Sequence, residues 1–485
     1  MLLKNFCSYC LSMLMVGCLI AGQPALATAT DPGKSDSVKV TLGINDLYKQ
    51  ILANHPVARQ AYLLSEEARQ QLRHARGMFD PKLASSFDRK EFKDAEYYQM
   101  WDSQLKVPVW LGGIDLIGGF EQNRGVYLDP EHDTDSGNGL AYGGLSIPIG
   151  QGLVIDQRRA VLRQAQIFEE IAEAERVKLL NKLLLQVAKD YWQWYFFHNQ
   201  YELLEEGYEL AEFRFRAVKI QVEQGDLAPI DSTEAKITMQ QRMIDLQMAE
   251  IQLQNARIML SNHLWNSEDE PLELPEGIIP ARRPDMDLTE STLEELYVFA
   301  RQNHPELRKV TFKLEQLDIE RKLAREMLKP VINLKYNFLA QTVGSGGNNE
   351  FNMPFFRNNY KLGVDFSFPI FLRKERAKLA LTNIKIDGTN LERVNLNRTV
   401  LNQIATTYNE TRNMASLITM QEEMVENYQR MVRGEEQMFR NGESSLFYVN
   451  VREGKLIEAE VKLYDMRHKY AKLLAELRWA AGMGR

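Results

Sequence analysis

The chain has 485 residues, of which 44% are hydrophobic and 26% are charged, so it carries ample apolar side chains for a folded core. Its formal net charge is −7 at neutral pH, which argues against a nucleic-acid partner because such partners bind basic surfaces. The class of protein must therefore be inferred from patterns along the chain.

The N-terminus predicts a cleaved export signal over residues 1–27. Lys4 precedes an apolar run from Phe6 to Ile20, and Ala-Leu-Ala at 25–27 is a small-x-small cleavage site. The run is short for a helix that anchors a protein permanently in a bilayer. We therefore expect the mature protein to be exported.

A lipoprotein signal processed at Cys18 is the alternative export route, although Met15 stands where such signals usually have leucine. Both routes predict a mature protein without structural disulfides, because the three cysteines all lie in this leader: Cys7, Cys10 and Cys18. After the leader, no uninterrupted apolar run reaches the ~18 residues that a spanning helix requires.

The rest of the chain contains one unit twice. Asn-His-Pro occurs at His55 and again at His304, and each copy continues into a charged helical stretch and a second proline at the same spacing. Later landmarks keep their order in both copies: Pro148 with Pro369, Tyr191 with Tyr408, and Gly225 with Gly442. This pattern indicates an internal duplication with a longer period than a solenoid repeat.

Each repeat is predicted to contain short helices, then strands, then a long helical hairpin. The first repeat covers 28–265, with helices at 44–79, strands at 82–149 and the hairpin at 150–265. A linker covers 266–289. The second repeat covers 290–482, with helices at 290–329, strands at 331–369 and the hairpin at 371–482.

The two histidines of the Asn-His-Pro sequences are interpreted as helix starts, because proline suits the first turn of a helix. Metal ligation by His55 or His304 is disfavoured, since the chain has only seven histidines and they are widely scattered. No metal site is expected.

The first helix of each hairpin is predicted to be roughly 100 Å long at about 1.5 Å per residue. A coiled-coil seam supports the first of them, at Val177, Leu180, Leu184, Val187, Tyr191 and Trp194. The second copy is expected to keep this register at Val394, Leu401, Ile404 and Tyr408. Gly225 and Gly442 stand where each chain must reverse direction.

The strands of the second repeat alternate between polar and apolar residues. VINLKYNFLAQT begins at Val331 and YKLGVDFSF begins at Tyr360, and each is about as long as a tilted strand that crosses a bilayer. A soluble sheet with one wet face gives the same alternation. The export signal and the very long helices at one end of the strands favour the transmembrane interpretation.

The first repeat is longer than the second between its two prolines, Pro81 and Pro148. The sequence therefore does not decide whether each chain has four or six strands. Its candidate strands are Leu83–Phe92, which is poorly patterned, Gln99–Val109, Ile114–Asn123 and Leu140–Ile149. Neither count closes a membrane barrel, for which about eight strands is the lower limit. An open edge in lipid leaves backbone groups unsatisfied, so several copies of the chain must pool their strands.

These features resemble the TolC-like outer-membrane factors of Gram-negative bacteria, the outer membrane efflux protein family. The duplicated layout and two glycine turns carry the resemblance, EQGDLAPIDSTEAKI at the first turn and RNGESSLFYVNVREGKL at the second. It extends from about residue 40 to the end. The extra residues in the first repeat depart from the family's two strands per repeat.

The resemblance implies an α+β membrane protein that is internally duplicated. Its long antiparallel coiled-coil hairpins would form an α-barrel in a homotrimer, and its strands would contribute to a shared transmembrane β-barrel. The implied function is a passive exit duct of a tripartite efflux or type I secretion system. It would lie in the outer membrane of a Gram-negative bacterium and extend into the periplasm.

The implied partners are two further copies of the chain, a periplasmic adaptor (membrane fusion) protein, outer-membrane lipid and, indirectly, an inner-membrane transporter. The alternative is an exported periplasmic coiled-coil adaptor or scaffold that never enters the membrane. No cofactor and no nucleic acid are expected under either interpretation.

The two hairpin turns supply the candidate functional residues. Candidates for a constriction that favours cations are Glu223, Gly225, Asp226, Asp231, Glu435, Glu436, Gly442 and Glu443. Candidates for the adaptor contact are Leu227, Pro229, Leu446 and Phe447. A solvated helix end is the alternative for the charged residues, and ordinary coiled-coil core for the apolar ones. Candidates for interfacial aromatic belts are Trp101, Trp110, Tyr336, Phe355, Phe356 and Tyr360.

An enzyme is the least favoured class. LDPEHDTDSGNG at 128–139 has carboxylates spaced somewhat like a calcium loop, but Gly144 occupies the position of the bidentate glutamate that such a loop needs. A polar outer loop is therefore the preferred interpretation. The sequence contains no Gly-rich phosphate loop, zinc-ligand spacing or nucleophile elbow, and no catalytic residue is predicted.

Overall fold

The computed structural model describes residues 40–134, 139–275, 277–281, 292–341 and 359–483. The predicted leader with Cys18, the belt candidates Phe355 and Phe356, and part of the predicted linker lie outside the described residues.

The first half of the chain contains two short helices, four strands of a large sheet and one long helical hairpin. In chain order these elements are β1 (Val40–Leu42), α1 (Ile44–Asn54), α2 (Pro56–Arg76), β2 (Lys82–Phe92), β3 (Ala95–Pro108), β4 (Asp115–Arg124), β5 (Leu140–Pro148), α3 (Gln157–Gln224) and α4 (Pro229–Ser261).

The second half repeats this order with fewer strands. Its elements are β6 (Ile278–Pro280), α5 (Leu293–Asn303), α6 (Pro305–Glu326), β7 (Val331–Gln341), β8 (Tyr360–Ser367), α7 (Arg373–Arg440) and α8 (Leu446–Ala480). The division of the whole chain into a leader, two repeats and a linker stays a prediction.

Both Asn-His-Pro sequences start a helix, as expected. Pro56 is the first residue of α2 and Pro305 is the first residue of α6. Nδ1 of His55 accepts a hydrogen bond from the N–H of Val57 at 3.1 Å, so the imidazole caps the helix. Burial lowers the pKa of both histidines, which keeps them neutral in the folded protein.

The long helices α3 and α7 have 68 residues each, which corresponds to about 100 Å. In α3 the predicted seam is buried at Leu184, Val187, Tyr191 and Trp194, and it packs against Leu260 of α4 and Leu47 of α1. The core of the molecule therefore runs along α3.

The predicted seam of α7 is wrong at one position. Ile404 is buried, but the side chain of Val394 is 65% exposed. The buried row of α7 instead passes through Val400 and Ile404 to residues of α5 and α8. A helix this long turns different faces toward its neighbours along its length, and among the described residues nothing covers the side chain of Val394.

A small parallel sheet ties the start of the described chain to the segment that precedes the second repeat. β1 pairs with β6, with Val40 opposite Ile278. The hydroxyl of Tyr191 donates to the carbonyl of Leu42 at 2.9 Å and accepts from the N–H of Ala281 at 3.2 Å. Burial raises the pKa of Tyr191 to about 12. This tyrosine therefore fastens both segments to α3.

The large sheet has six strands in the order β2-β3-β4-β5-β7-β8, and every neighbouring pair is antiparallel. Within the described residues, the strand count of this sheet, which the sequence left at four or six, is therefore six. The poorly patterned candidate at Leu83–Phe92 is a strand, because β2 pairs with β3 along its length with one register shift between Lys90 and Glu91.

Paired residues of antiparallel strands point to the same face, so the register assigns the two faces of the sheet. Tyr336 lies opposite Leu145 and Leu362, and Lys335 lies opposite Ser146 and Gly363. One face is therefore apolar and aromatic and the other largely polar, which is the pattern of a sheet between lipid and water. Among the described residues, no helix combines the length and the hydropathy needed to cross a membrane.

Candidate functional site at the helical tip

The turn between α3 and α4 is a compact reversal built on one left-handed residue. Gly225 has φ of +86°, a conformation that glycine adopts without strain. Its N–H donates to the carbonyl of Val222 at 3.0 Å, and the N–H of Asp226 donates to that of Gln221 at 2.9 Å. These bonds satisfy the last carbonyls of α3. The carboxylate of Asp231 then accepts from the N–H of Ala228 at 3.2 Å and caps α4.

The turn between α7 and α8 uses the same chemistry. Gly442 has φ of +75°, and the N–H of Glu443 donates to the carbonyl of Met438 at 2.9 Å. The carboxylate of Glu435 accepts a hydrogen bond from the hydroxyl of Ser444 and lies 3.6 Å from Nε of Arg452 on α8. Glu435 therefore braces its own turn.

A shared apolar cluster joins the two turns. Val218 of α3, Ala235 of α4 and Leu446 of α8 are buried together. Leu227 and Phe439 are partly buried against them. The two hairpins therefore end in one small core at the same end of the molecule, which we call the tip.

An ion pair links the two hairpins next to this core. Nη1 and Nη2 of Arg214 on α3 donate to the two carboxylate oxygens of Glu453 on α8, at 2.6 Å each. Nη1 also donates to Oδ1 of Asn450 at 3.2 Å. Burial opposes the positive charge, but the bonds to Glu453 and its negative charge raise the pKa of Arg214. The pair is therefore a fixed, ionised tie across the hairpins.

Sequence reasoning missed this tie. Arg214 and Glu453 are far apart along the chain, and each lies in a charged helical stretch where a solvated side chain is the default interpretation. No local signal marks either one, because only the packing of α3 against α8 brings them together.

The structure places the predicted tip residues at different depths. The exposed members are Glu223, Gly225, Asp226, Pro229, Gly442, Glu443 and Phe447. The half-buried members are Leu227, Asp231, Glu435 and Glu436, and Leu446 is buried. Their roles as a gate or an adaptor contact stay predictions. The side chain of Leu446 is occupied within its own chain, which favours Phe447 and Pro229 as the outward-facing apolar candidates.

The aromatic candidates of the sheet lie on exposed or half-buried positions. Trp101 is 42% exposed and its ring lies 5.9 Å from that of Phe120, while Tyr336 stacks on Tyr360 at 5.8 Å. Trp110 lies in the turn between β3 and β4, at the end of the sheet nearest the helices. In the described part of the chain, no group of three or more metal-ligating side chains is close enough to hold an ion.

Comparison with solved structures shows the same fold in three bacterial outer-membrane proteins, two of which, MtrE and CmeC, are described as channels. The open-state MtrE channel of Neisseria gonorrhoeae is 17% identical, with a TM-score of 0.61, and the match covers 94% of each chain. VceC of Vibrio cholerae is 14% identical with a TM-score of 0.60, over 90% of this chain and 96% of that one. CmeC of Campylobacter jejuni is 14% identical with a TM-score of 0.60, over 91% and 86%.

A search of curated proteins finds no match. The sequence profile of the family described as "Outer membrane efflux protein" matches residues 114–264 and 296–483, which is well over half of the chain. The chain belongs to the outer membrane efflux protein family, and it is an efflux-type channel of the outer membrane that extends into the periplasm, not an enzyme.

Proposed function

We propose that three copies of this chain form one continuous exit duct that crosses the outer membrane and the periplasm and serves a tripartite efflux or type I secretion system. Cargo passes through it passively. The observation that carries the proposal is that a single chain leaves matched surfaces uncovered on both of its sides, along the helices and along the sheet.

The first uncovered surface is a row of isoleucines on α4. They recur at heptad spacing and all are at least half exposed: Ile230, Ile237, Ile244, Ile251 and Ile258. The buried seam of the same helix runs along another face, through Ala235, Ala249 and Ala256. A sustained apolar heptad row is the mark of a coiled-coil contact, so this row needs a partner helix.

The second uncovered surface lies on α7, in the other hairpin. Its exposed residues also recur at heptad spacing: Leu417, Met424, Met431 and Met438. Pairing the α4 row of one copy with the α7 row of the next is a heterologous contact, which closes into a ring when the rotation fits. A ring of three copies places six helical hairpins around one axis.

The open edges of the six-stranded sheet support the same ring. Six strands are fewer than the eight or so that the smallest membrane barrel needs, and unpaired backbone groups in lipid cost several kcal/mol each. Pooling the strands of three copies removes both edges of every sheet. The alternative, a scaffold that never enters lipid, leaves the apolar face of this sheet in water.

The tip is the gate of the proposed duct. Carboxylates of Glu223, Asp226 and Glu443 from each copy surround the axis there and favour cations. Docking of a periplasmic adaptor onto exposed apolar side chains beside the turns widens the tip, and these side chains are Pro229, Phe447 and Tyr448. The inner-membrane transporter is reached only through that adaptor.

Conductance in planar lipid bilayers tests the proposal. Protein extracted from outer membranes in detergent is expected to insert as discrete conducting units that favour cations. The variant with Glu223, Asp226 and Glu443 changed to glutamine is expected to conduct with weaker cation preference. A protein that stays soluble without detergent after leader removal, and never conducts, would support the scaffold instead.

A further inference from the structure

We infer that all six strands of each copy enter one membrane wall, and that β2 of one copy pairs with β8 of the next. This inference rests on the trimeric channel proposed above. β2 and β8 are the two edges of the sheet, and in the part of the chain that the structure describes neither pairs with a strand on its outer side. Both are exposed along nearly their whole length.

The chain directions suit this pairing. β2 follows α2 and runs away from the helices, whereas β8 runs back toward them and leads into α7. Adjacent copies in a ring therefore bring β2 and β8 together antiparallel. Every neighbouring pair within the sheet is also antiparallel, so the closing pair continues the same ladder.

The apolar face of the sheet extends across the extra hairpin formed by β2 and β3. Leu83 lies opposite Leu105, and Phe87 lies opposite Trp101. The ring of Trp101 contacts that of Phe120 on β4, which belongs to the apolar face of the central strands. The half of the hairpin nearest the helices therefore presents largely the same kind of surface to lipid as the rest of the sheet, with Ser85 and Ser103 as its polar members, while Arg89 and Gln99 lie on this face at the far end. The hairpin is part of the wall rather than a lobe beside it.

The stagger of the strands fits a closed barrel. Lys82 lies at the end of β2 nearest the helices, and the chain of paired residues that starts from it crosses the sheet to Lys361 on β8. Lys361 lies six residues before Ser367, the residue of β8 nearest the helices. Keeping the helical ends level around a ring therefore requires a shift of one residue per strand. With about 3.3 Å per residue and about 4.8 Å between strands, this shift is a tilt of about 35°, the lower end of the range of barrels.

The same geometry predicts the register of the closing pair, with Lys82 opposite Ser367. Asp88 then faces Lys361 on the polar side, and their opposite charges attract. On the lipid side, Leu83 faces Phe366 and Phe87 faces Leu362. A slip by one residue would turn these apolar side chains to the wrong face, so the register is well specified.

Three copies with six strands each give a wall of 18 strands. Barrels of about 16–18 strands leave a water-filled channel between their side chains. The duct would therefore open at the cell surface through an aqueous mouth suited to hydrated or bulky cargo.

Disulfide cross-linking tests the register. Ser86→Cys and Gly363→Cys place two thiols directly opposite each other across the proposed contact. A Cβ at Gly363 meets only an ordinary contact, 3.9 Å from Cβ of Lys335. Oxidation is expected to link neighbouring subunits into covalent dimers and trimers on a denaturing gel. The matched control is Ser85→Cys with Gly363→Cys, whose thiols lie on opposite faces and should not link.

Charge reversal provides a second readout that does not depend on thiol chemistry. Asp88→Lys places two positive charges together and is expected to lower the temperature at which the trimer dissociates. Adding Lys361→Asp restores the pair with its signs exchanged and is expected to recover most of that loss.

A conducting trimer that links no more than its control, and in which Lys361→Asp gives no rescue, would overturn the pairing of β2 with β8 and leave the trimeric channel standing. Absence of any trimer or conductance in the unmodified protein would instead overturn the proposed function, and this inference with it.

Discussion

Arg214 and Glu453 form a two-pronged ion pair that ties the first helical hairpin to the second, with both N–O distances at 2.6 Å. The side chains are only 18% and 15% exposed, so water screens the pair weakly. It lies beside the small core of the tip, where the proposed gate must change shape. The pair therefore opposes separation of the hairpins.

Arg214→Ala is expected to loosen the tip. It leaves the carboxylate of Glu453 half-buried without its partner, which should lower the free energy of unfolding by about 2 kcal/mol. In planar bilayers the variant should spend more time in its more conductive state. Arg214→Lys keeps the charge but not the two-pronged geometry, so it should fall between the variant and the parent.

Arg216→Ala is the matched control for this prediction. Arg216 lies on the same helix and pairs with Glu212 of its own helix, in an exposed position. Its loss should leave conductance unchanged. Equal effects of the two alanine variants would show that the tie does not hold the tip.

Ile244→Glu is expected to weaken association of the copies. The substitution places a charge in the middle of the exposed isoleucine row on α4, where the proposed α7 partner would have to bury it. On a gel of unboiled samples, the trimer should dissociate at a lower temperature than the trimer of the parent protein.

Met243→Glu provides the comparison. Met243 is also exposed, at 43%, but it lies about 100° around the helix from the row. Its trimer should resist dissociation nearly as well as the parent. If the two glutamate variants dissociate alike, the isoleucine row makes no contact between copies, and the prediction is wrong.

The sequence predicted the fold class through its periodicities, because heptad rows and two-residue alternation report directly which side chains are buried together. It predicted β2 only as a poorly patterned candidate strand, since Ser85, Asp88 and Arg89 interrupt the alternation, and the pairing with β3 identifies the strand. It misjudged Val394, since burial along α7 depends on which neighbour lies beside each turn.

At the tip, the two glycines could be predicted because a sharp reversal between helices favours left-handed glycine. The contacts between the two hairpins at the tip could not be predicted. The tie between Arg214 and Glu453, and the burial of Leu446 with Val218 and Ala235, depend on the two hairpins meeting in space. The local sequence around these residues does not indicate which residues of the other hairpin they contact.

Gly225→Ala is expected to lower the free energy of unfolding by about 1 kcal/mol, because the left-handed backbone at φ of +86° disfavours a Cβ. Apart from the two adjacent residues, no atom of the described chain lies within 4 Å of that Cβ, so the cost comes from the backbone conformation. Gly225→Asn should lose less. Chemical denaturation of the detergent-solubilised protein measures both variants.

Gly434→Ala is expected to raise the free energy of unfolding rather than lower it. Gly434 lies inside α7, and a Cβ added there would meet no other described part of the chain within 4 Å, so alanine should raise helix stability by about 0.5–1 kcal/mol. Destabilisation by both alanine variants would point to a general sensitivity of the tip rather than to the backbone of Gly225.

His468 is expected to make the protein less stable in mild acid. Burial, together with the positive charge of Lys472, lowers the pKa of His468 to about 4, and the ring stacks on Phe196 with centroids 4.9 Å apart. The unfolded chain has the ordinary pKa of about 6.5, so it binds a proton first as the pH falls. Stability from this residue is complete above pH 6.5 and is lost between there and about pH 4, by about 3 kcal/mol in total.

His468→Phe removes this titration while keeping a ring against Phe196. The temperature of thermal unfolding should therefore fall less steeply between pH 7 and pH 4 in the variant than in the parent. His55 and His304, whose pKa values are also lowered, contribute equally to both proteins. Parallel curves would mean that His468 is protonated in the folded protein.

The mass of the complex extracted from outer membranes tests the central claim most directly. Light scattering with the contribution of detergent subtracted should give the mass of three chains, as the proposed trimer requires. In that ring, neighbouring copies cover the exposed rows of α4 and α7 and pair the two edges of each six-stranded sheet. A particle of one chain mass, stable and folded on its own, would contradict the account.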